Sequence, residues 1–348
     1  MIVVNAPHLP VRPDWLALRN EPVLEPDLAI VDAHHHLWDR HGGRYLAHEF
    51  LEDIGSGHRI DATVFVQCRS MLRASGPAEM APVGEVEFVN GVAAMAASGA
   101  YGKTLLCDAI VAGADLSRGT AVLSVIEAMV AASGGRLRGV RNPVAWHEDK
   151  AVQSSPVTPP RGLMADAGFR DGVQTLKRYG LSLDVWAYHT QLGEVYELAK
   201  SCPDTFVIVD HFGGPVGVGP YAGRQPEVLG HWRYAMAKLA ELPNIYVKLG
   251  GAGMPVFGFT FAGDPVPPAS EQLSVAWRPY FETCVELFGP SRCMVESNFP
   301  VDKGMFSYRS LWNAFKRLSA SYSASERAAL FSGTARRVYR MTEPVSAA

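Results

Sequence analysis

The run Val31–Asp39, VDAHHHLWD, places three histidines behind an apolar stretch. Imidazole changes charge near neutral pH and ligates metals as the neutral ring, so a His-x-His pair is a candidate catalytic unit. On an extended strand successive side chains alternate faces, which groups Asp32, His34 and His36 on one face and His35 on the other. At that spacing His34 and His36 could clamp a divalent metal, or hold two polarising imidazoles side by side. The alternative is a solvated cluster at the start of a loop.

More polar residues stand where apolar runs end. They are Gln67 after ATVFV, Arg141 in GVRNPVAWH, His189 in DVWAYHTQL, His211 in IVDHFGG, Lys248 in YVKLGG, and Asn298 and Asp302 in VESNFPVDK. Any one of them could be a satisfied buried group. Their recurrence at equivalent places fits the mouth of a barrel, where catalytic residues gather at strand C-termini.

The elements that must position them are short, nearly continuous hydrophobic runs at 29–33, 62–67, 108–112, 137–141, 182–187, 205–210, 244–249 and 292–297. Such runs are expected of parallel strands covered on both faces. Helical spacing fills the gaps, at 84–98, 120–132, 191–201, 227–242 and 274–288, then 308–319, 323–331 and 334–339. Thr120 is a candidate N-cap, and Ser323 opens a capping box with Glu326. Alternating units of this kind predict an α/β fold, a single (β/α)8 TIM barrel with long loops on its C-terminal face. A doubly wound sheet with a second domain is the alternative, but no Gly-rich phosphate fingerprint follows any strand. The expected division is an N-terminal arm over 1–28 and a barrel over 29–348. The two long irregular stretches, 146–163 and 250–270, both follow strands, and loops of that length are usually functional. Phe257, Phe259 and Phe261 in the second suggest a lid or a subunit contact, hence a possible homo-oligomer.

Composition narrows the function classes. The chain has 348 residues, 48% of them hydrophobic and 19% charged, with a net charge of −3. No basic stripe marks a nucleic-acid surface. No apolar stretch reaches the length of a membrane span. Five widely spaced cysteines without a CxxC read as reduced, buried thiols. The first residues lack the pattern of a secretory leader, so a cytoplasmic protein is expected. The partner expected is a small molecule, with no nucleic acid and no membrane.

The segments DAHHHLWD, VFVQC, AIVAGADL, GVRNPVAWHED, VIVDHFGG, NIYVKLGG and CMVESNFPVD occur in the order seen in amidohydrolase-related proteins. Over 29–341 the chain resembles the amidohydrolase 2 family, and within it the sugar-lactone and 2-pyrone-4,6-dicarboxylate lactonases. The resemblance implies lactone hydrolysis by a barrel enzyme, with His34, His36, His189 and His211 in the positions of the family's strand histidines. It also exposes two departures. The family's usual Gly-Ser-Asp-x-Pro is here Glu296-Ser297-Asn298-Phe299-Pro300, and its usual Gly-Ile-Arg-His has Asn142 in place of the histidine.

An amide cannot take a proton from water, so Asn298 removes the family's base. Asp302 could swing in, His189 or His211 could serve, or the site could be catalytically retired and bind a ligand only. The expected metal ligands are His34, His36 and His189, holding zinc or manganese, although that branch is also compatible with metal-independent chemistry. In the lactonase reading His34 and His36 polarise the carbonyl. Arg141 binds a substrate carboxylate or forms a buried salt bridge. Lys248 assists it or pairs with Glu296. Gln67, Trp38, Trp146 and Tyr188 contact substrate, whereas Trp186 belongs to the core. Arg69, Arg73 and Arg224 favour an anionic substrate. The alternative chemistry is metal-dependent, non-oxidative decarboxylation of an aromatic or muconate-type acid.

Overall fold

The computed structural model describes residues 8–40 and 43–342. Eight parallel strands run in sequence order around one sheet. They are β1 (Ile30–His35), β2 (Ile60–Val66), β3 (Leu105–Gly113), β4 (Leu137–Arg141), β5 (Ser182–Val185), β6 (Val207–Val209), β7 (Ile245–Leu249) and β8 (Cys293–Val295). The ring closes through backbone bonds beyond the end of β8, from Asn298 N to His34 O at 2.8 Å and from His36 N to Phe299 O at 2.8 Å. A helix follows each strand: α1 (Ala47–Ile54), α2 (Val83–Ala97), α3 (Leu123–Ala132), α4 (Ala167–Thr175), α5 (Leu192–Ser201), α6 (Gln225–Ala240), α7 (Ser270–Phe288) and α8 (Tyr308–Leu318). The fold is a (β/α)8 barrel.

Two apolar clusters divide the core. Small and β-branched side chains, among them Val31, Ala33, Ala62, Val64, Val66 and Val111, fill the barrel interior. The larger cluster lies between strands and helices and holds most of the aromatics. Residues of the last helical turn close the interior from below, where Tyr339 OH donates to Asp184 Oδ2 at 2.7 Å.

All eight expected strands are present. Two helices, α1 and α4, went unread; each is short, with eight and nine residues, and offers few apolar positions. The helix expected from Thr120 starts at Leu123, after a 3-10 turn capped by Asp115. The Ser323–Glu326 capping box is present. The five cysteines are free and buried. The arm also contains a helical turn, Pro13–Ala17, and runs over the β7–α7 loop, where Trp15 Nε1 donates to Asp264 O at 2.9 Å and Arg19 Nε donates to Pro267 O at 3.0 Å. Phe257 is buried, and Phe259 and Phe261 stack on each other against the chain's own core. Their apolar surface is therefore largely used within the chain.

Candidate active site

Strand β1 carries one residue more than its neighbour between Asp32, opposite Thr63, and His35, opposite Phe65. This irregularity breaks the simple alternation. Asp32 joins the helix-facing layer, where Tyr308 OH donates to it at 2.9 Å and Ser297 N at 2.8 Å. His35 packs on Phe50 and meets Thr63 Oγ1 at 2.9 Å. Asp32 therefore does not share a face with His34 and His36, whose rings meet edge-on at 4.9 Å inside the barrel mouth.

His34 lies at the floor, wholly buried. Its Nδ1 is 3.0 Å from Glu296 Oε2 and its Nε2 is 3.2 Å from Arg141 Nη1. Guanidinium can only donate, so Nε2 accepts, while Nδ1 faces both the Glu296 carboxylate and, at 3.3 Å, the Lys248 ammonium. His211 is tied to the same carboxylate, with Nδ1 2.6 Å from Glu296 Oε1. One carboxylate thus holds His211 and faces His34. Burial pushes the Glu296 carboxyl up, but His211 and His34 outweigh it and bring it down to about 2. His36 Nδ1 donates to Val66 O at 2.8 Å, which leaves its Nε2 as an acceptor. Burial, then His34 and Arg141, hold the His36 ring well below its ordinary range, so it is neutral.

This close approach depends on glycine. A Cβ on Gly251, at φ +71°, would stand 2.4 Å from His211 Nδ1, and one on Gly250 would stand 2.4 Å from Glu296 Cγ. The two glycines ending the NIYVKLGG segment make room for the carboxylate–imidazole pair.

Below it lies a charged layer. Lys248 Nζ donates to Asp184 Oδ2 at 2.6 Å and stands 3.3 Å from Asp210 Oδ1. Arg141 reaches Asp210 Oδ2 at 3.4 Å and Gln67 O at 2.5 Å. Burial pushes Asp210 up, but Lys248 and then His34 hold it well below the carboxylate range. Burial opposes the charge of Lys248, while Asp184 and Asp210 keep it protonated. Lys248 is wholly buried, so it is part of the floor and is not placed to touch substrate; its partners are Asp184 and Asp210 rather than Glu296.

The mouth is a cavity of about 110 Å³ bordered by His36, Trp38, Gln67, Arg141, Trp186, His211 and Asn298, together with Arg40, Arg69 and, from the arm, His8. Among the described residues no acidic side chain borders it. Six of the expected residues, His36, His211, Asn298, Arg141, Gln67 and Trp38, meet here, with His34 directly beneath.

The others do not. His189 lies in a 3-10 turn beyond β5, beside Tyr221 at 5.0 Å, with Val216 N donating to its Nδ1 at 3.3 Å. Burial lowers it to about 4. Asp302 sits behind Asn298, accepting from Asn298 Nδ2 and from Gly253 N, each at 2.8 Å. Burial pushes its carboxyl well up against these two bonds, so it is neither exposed to the cavity nor a ready base. Tyr188 OH fastens the 146–163 loop at Ser154. Trp146 is covered by Arg161. Trp186, expected in the core, instead forms cavity wall and packs on His211 at 4.9 Å. Of Arg69, Arg73 and Arg224, only Arg69 borders the cavity, and Arg73 and Arg224 pair with Glu87 and Glu227. Sequence reasoning missed Asp210 and Glu296 as site residues. The signal was present: Glu296 stands two residues before Asn298, where the family usually has glycine.

An amidohydrolase family model matches residues 31–341. The chain belongs to the amidohydrolase family. The uncharacterized protein y4mH of Sinorhizobium fredii is 32% identical to this amidohydrolase over 333 residues, 90% of this chain and 99% of that one. An L-fucono-1,5-lactonase of Burkholderia multivorans is 27% identical over 334 residues, covering 91% and 98%. The fold is also that of a crystallised amidohydrolase from Burkholderia multivorans with bound zinc, at TM-score 0.65 and 23% identity over 90% of this chain and 100% of that one.

A metal therefore has to be tested against these residues. His34, Asp210 and His211 each offer a donor atom within 4.8 Å of the others, the spacing an ion needs. This is a different trio from His34, His36 and His189. The spacing suits a metal, but the bonding does not. His211, with Nδ1 on Glu296, keeps Nε2 free, but His34 faces Arg141 at Nε2 and Lys248 at Nδ1, and Asp210 faces the same two cations. Ligands must be deprotonated and free to bind. The arrangement fits a site whose positive charge comes from Lys248 and Arg141.

Proposed function

We propose that this amidohydrolase opens a carboxylate-bearing lactone, with His211 as general base and Glu296 behind it. The observation that carries the reading is the Glu296–His211 contact at 2.6 Å, bordering a cavity that three arginines and no carboxylate enter. A carboxylate behind an imidazole fixes its tautomer and stabilises the imidazolium, the logic of the serine-protease triad. With the proton on Nδ1, the lone pair of His211 Nε2 is the group left to take a proton from water. The attacked carbonyl oxygen becomes an oxyanion, and the donors available at the mouth are the Arg141 guanidinium and the second N–H of the Asn298 amide. Neutral His36 presents an acceptor, so it orients the water rather than polarising the carbonyl as the sequence suggested. Collapse of the tetrahedral intermediate breaks the ring C–O bond. His211 returns its proton to the leaving alkoxide, and the product is a hydroxy acid. Arg40 and Arg69 are placed to meet a substrate carboxylate.

The test is a panel of sugar lactones, carboxylate-bearing lactones and aromatic acids, with and without zinc or manganese. Proton release from carboxylate-bearing lactones is the expected result. Carbon dioxide release from the aromatic acids would overturn the hydrolase reading in favour of decarboxylation.

A further inference from the structure

Beside the cavity over His211 lies a larger chamber of about 1010 Å³, walled by the loops after β2, β3 and β4. Gln67, Arg69, Arg141, Asn142 and Pro143 border both spaces, so the two adjoin. A volume of that order holds a ligand much larger than a single lactone ring.

The chamber walls have an unusual balance. Leu72 and Val157 face it and remain 42% and 44% exposed, although both are large and apolar. Its acidic residues are all committed to backbone donors. Glu85 accepts from Cys68 N and Ser70 N, Asp115 from Ser117 N, and Asp166 from Phe169 N. Of its cations, Arg141 is tied to Gln67 O and Asp210, whereas Arg69 and Arg161 pair with no carboxylate among the described residues. Arg69 Nη1 is buried without a hydrogen-bond partner, and Arg161 lies over the Trp146 ring. Arg69 and Met71 also hold φ of +64° and +52°, a region that residues with side chains seldom occupy. Such strain collects where a binding site has to be shaped.

We propose that this chamber is a second subsite for the part of the substrate distal to the lactone, an apolar ring-bearing body with an anionic group that pairs with Arg69. The occupant follows from the unpartnered Arg69 guanidinium and the uncovered apolar walls, which select an organic anion over a polyhydroxylated sugar. The inference deepens the lactonase reading by naming its substrate class and rests on it for the chemistry next door. Binding can be measured without turnover.

The experiment is titration calorimetry of the full chain with biphenyl-4-carboxylate and with the uncharged biphenyl-4-carboxamide. One equivalent of the acid is expected to bind, at least about tenfold more tightly than the amide. Arg69→Gln is expected to erase most of that preference. Ala78→Trp, at an exposed chamber position where folding is little at risk, is expected to weaken both ligands at least about tenfold. Circular dichroism establishes that both variants are folded. No binding to the parent protein, equal binding of acid and amide, or binding that survives both substitutions would overturn the proposal. Binding of the acid by a protein that hydrolyses no lactone would leave the chamber standing and defeat the lactonase reading alone.

Discussion

His211 and His189 are both buried histidines just past a strand tip, and in the sequence they look equivalent. In the structure one borders the reaction cavity and the other packs beside Tyr221. The path of the backbone after the strand makes the difference. Beyond β6 the chain turns at once, with His211 itself at φ +53°, and the ring swings inward onto Glu296. Beyond β5 the chain runs on for three residues. Trp186 takes the cavity wall, Tyr188 fastens a loop, and His189 enters a separate turn. A polar side chain at a strand end reaches the cavity only where the turn returns it to the barrel axis.

Substitutions can break this contrast. His211→Ala is expected to lower kcat by about 10²–10⁴-fold, the range for a lost general base, measured by proton release. His189→Ala should change kcat no more than a few-fold and instead lower the melting temperature. A large kcat loss in His189→Ala would reverse the assignment. Gly251→Ala pushes a methyl group to within 2.4 Å of His211 Nδ1. It is expected to cost nearly as much activity as removing the imidazole, while the substitution Gly263→Ala, where a Cβ meets nothing within 4 Å, leaves activity at the parent level.

Smaller effects sharpen the comparison. Asp302 accepts from Asn298 and Gly253 with its two oxygens and does not border the cavity, so Asp302→Asn, which leaves one of those donors unpaired, should lower kcat by no more than about tenfold; a loss above about 10²-fold would mark Asp302 as the base after all. Exhaustive chelation, checked by elemental analysis, should leave hydrolysis intact, because His34 and Asp210 already face Arg141 and Lys248. Activity lost on chelation and restored by zinc would show that these contacts open for a metal.

The pH dependence of stability follows from the neutral histidines. Burial lowers His58 and His189 to about 4 and His35 to about 3. Between those values and the unfolded value near 6.5 the unfolded chain binds more protons, so their contribution is complete above pH 6.5 and is lost as pH falls. Asp32, raised by burial to about 6, and Asp302, pushed well up, work in the opposite direction. Substitution isolates the histidine part: the excess of the parent's urea midpoint over that of His58→Gln should shrink from pH 6.5 to 4.5. A constant difference would show that this ring is not held neutral.

The barrel was legible because hydrophobic runs report parallel strands directly, and all eight were found. The site was partly legible. His36, His211, Arg141, Gln67, Trp38 and Asn298 converge as strand-end positions should. What failed was anything decided by local backbone path or by distant partners. The extra residue in β1 moved Asp32 outward, the longer run after β5 carried His189 away, and the burial of Asp302 depends on Gly253 from another strand's loop. Glu296 was overlooked because a carboxylate within an apolar strand reads as an ion-pair partner until its contact with two imidazoles is seen.

The most direct test of the relocated carboxylate is the steady-state hydrolysis of a carboxylate-bearing lactone by Glu296→Gln, with folding followed by circular dichroism. The amide keeps the volume of the side chain but cannot stabilise the imidazolium. The account predicts a kcat lower by about 10²-fold or more at nearly unchanged KM. A folded Glu296→Gln protein with kcat within twofold of the parent would contradict it.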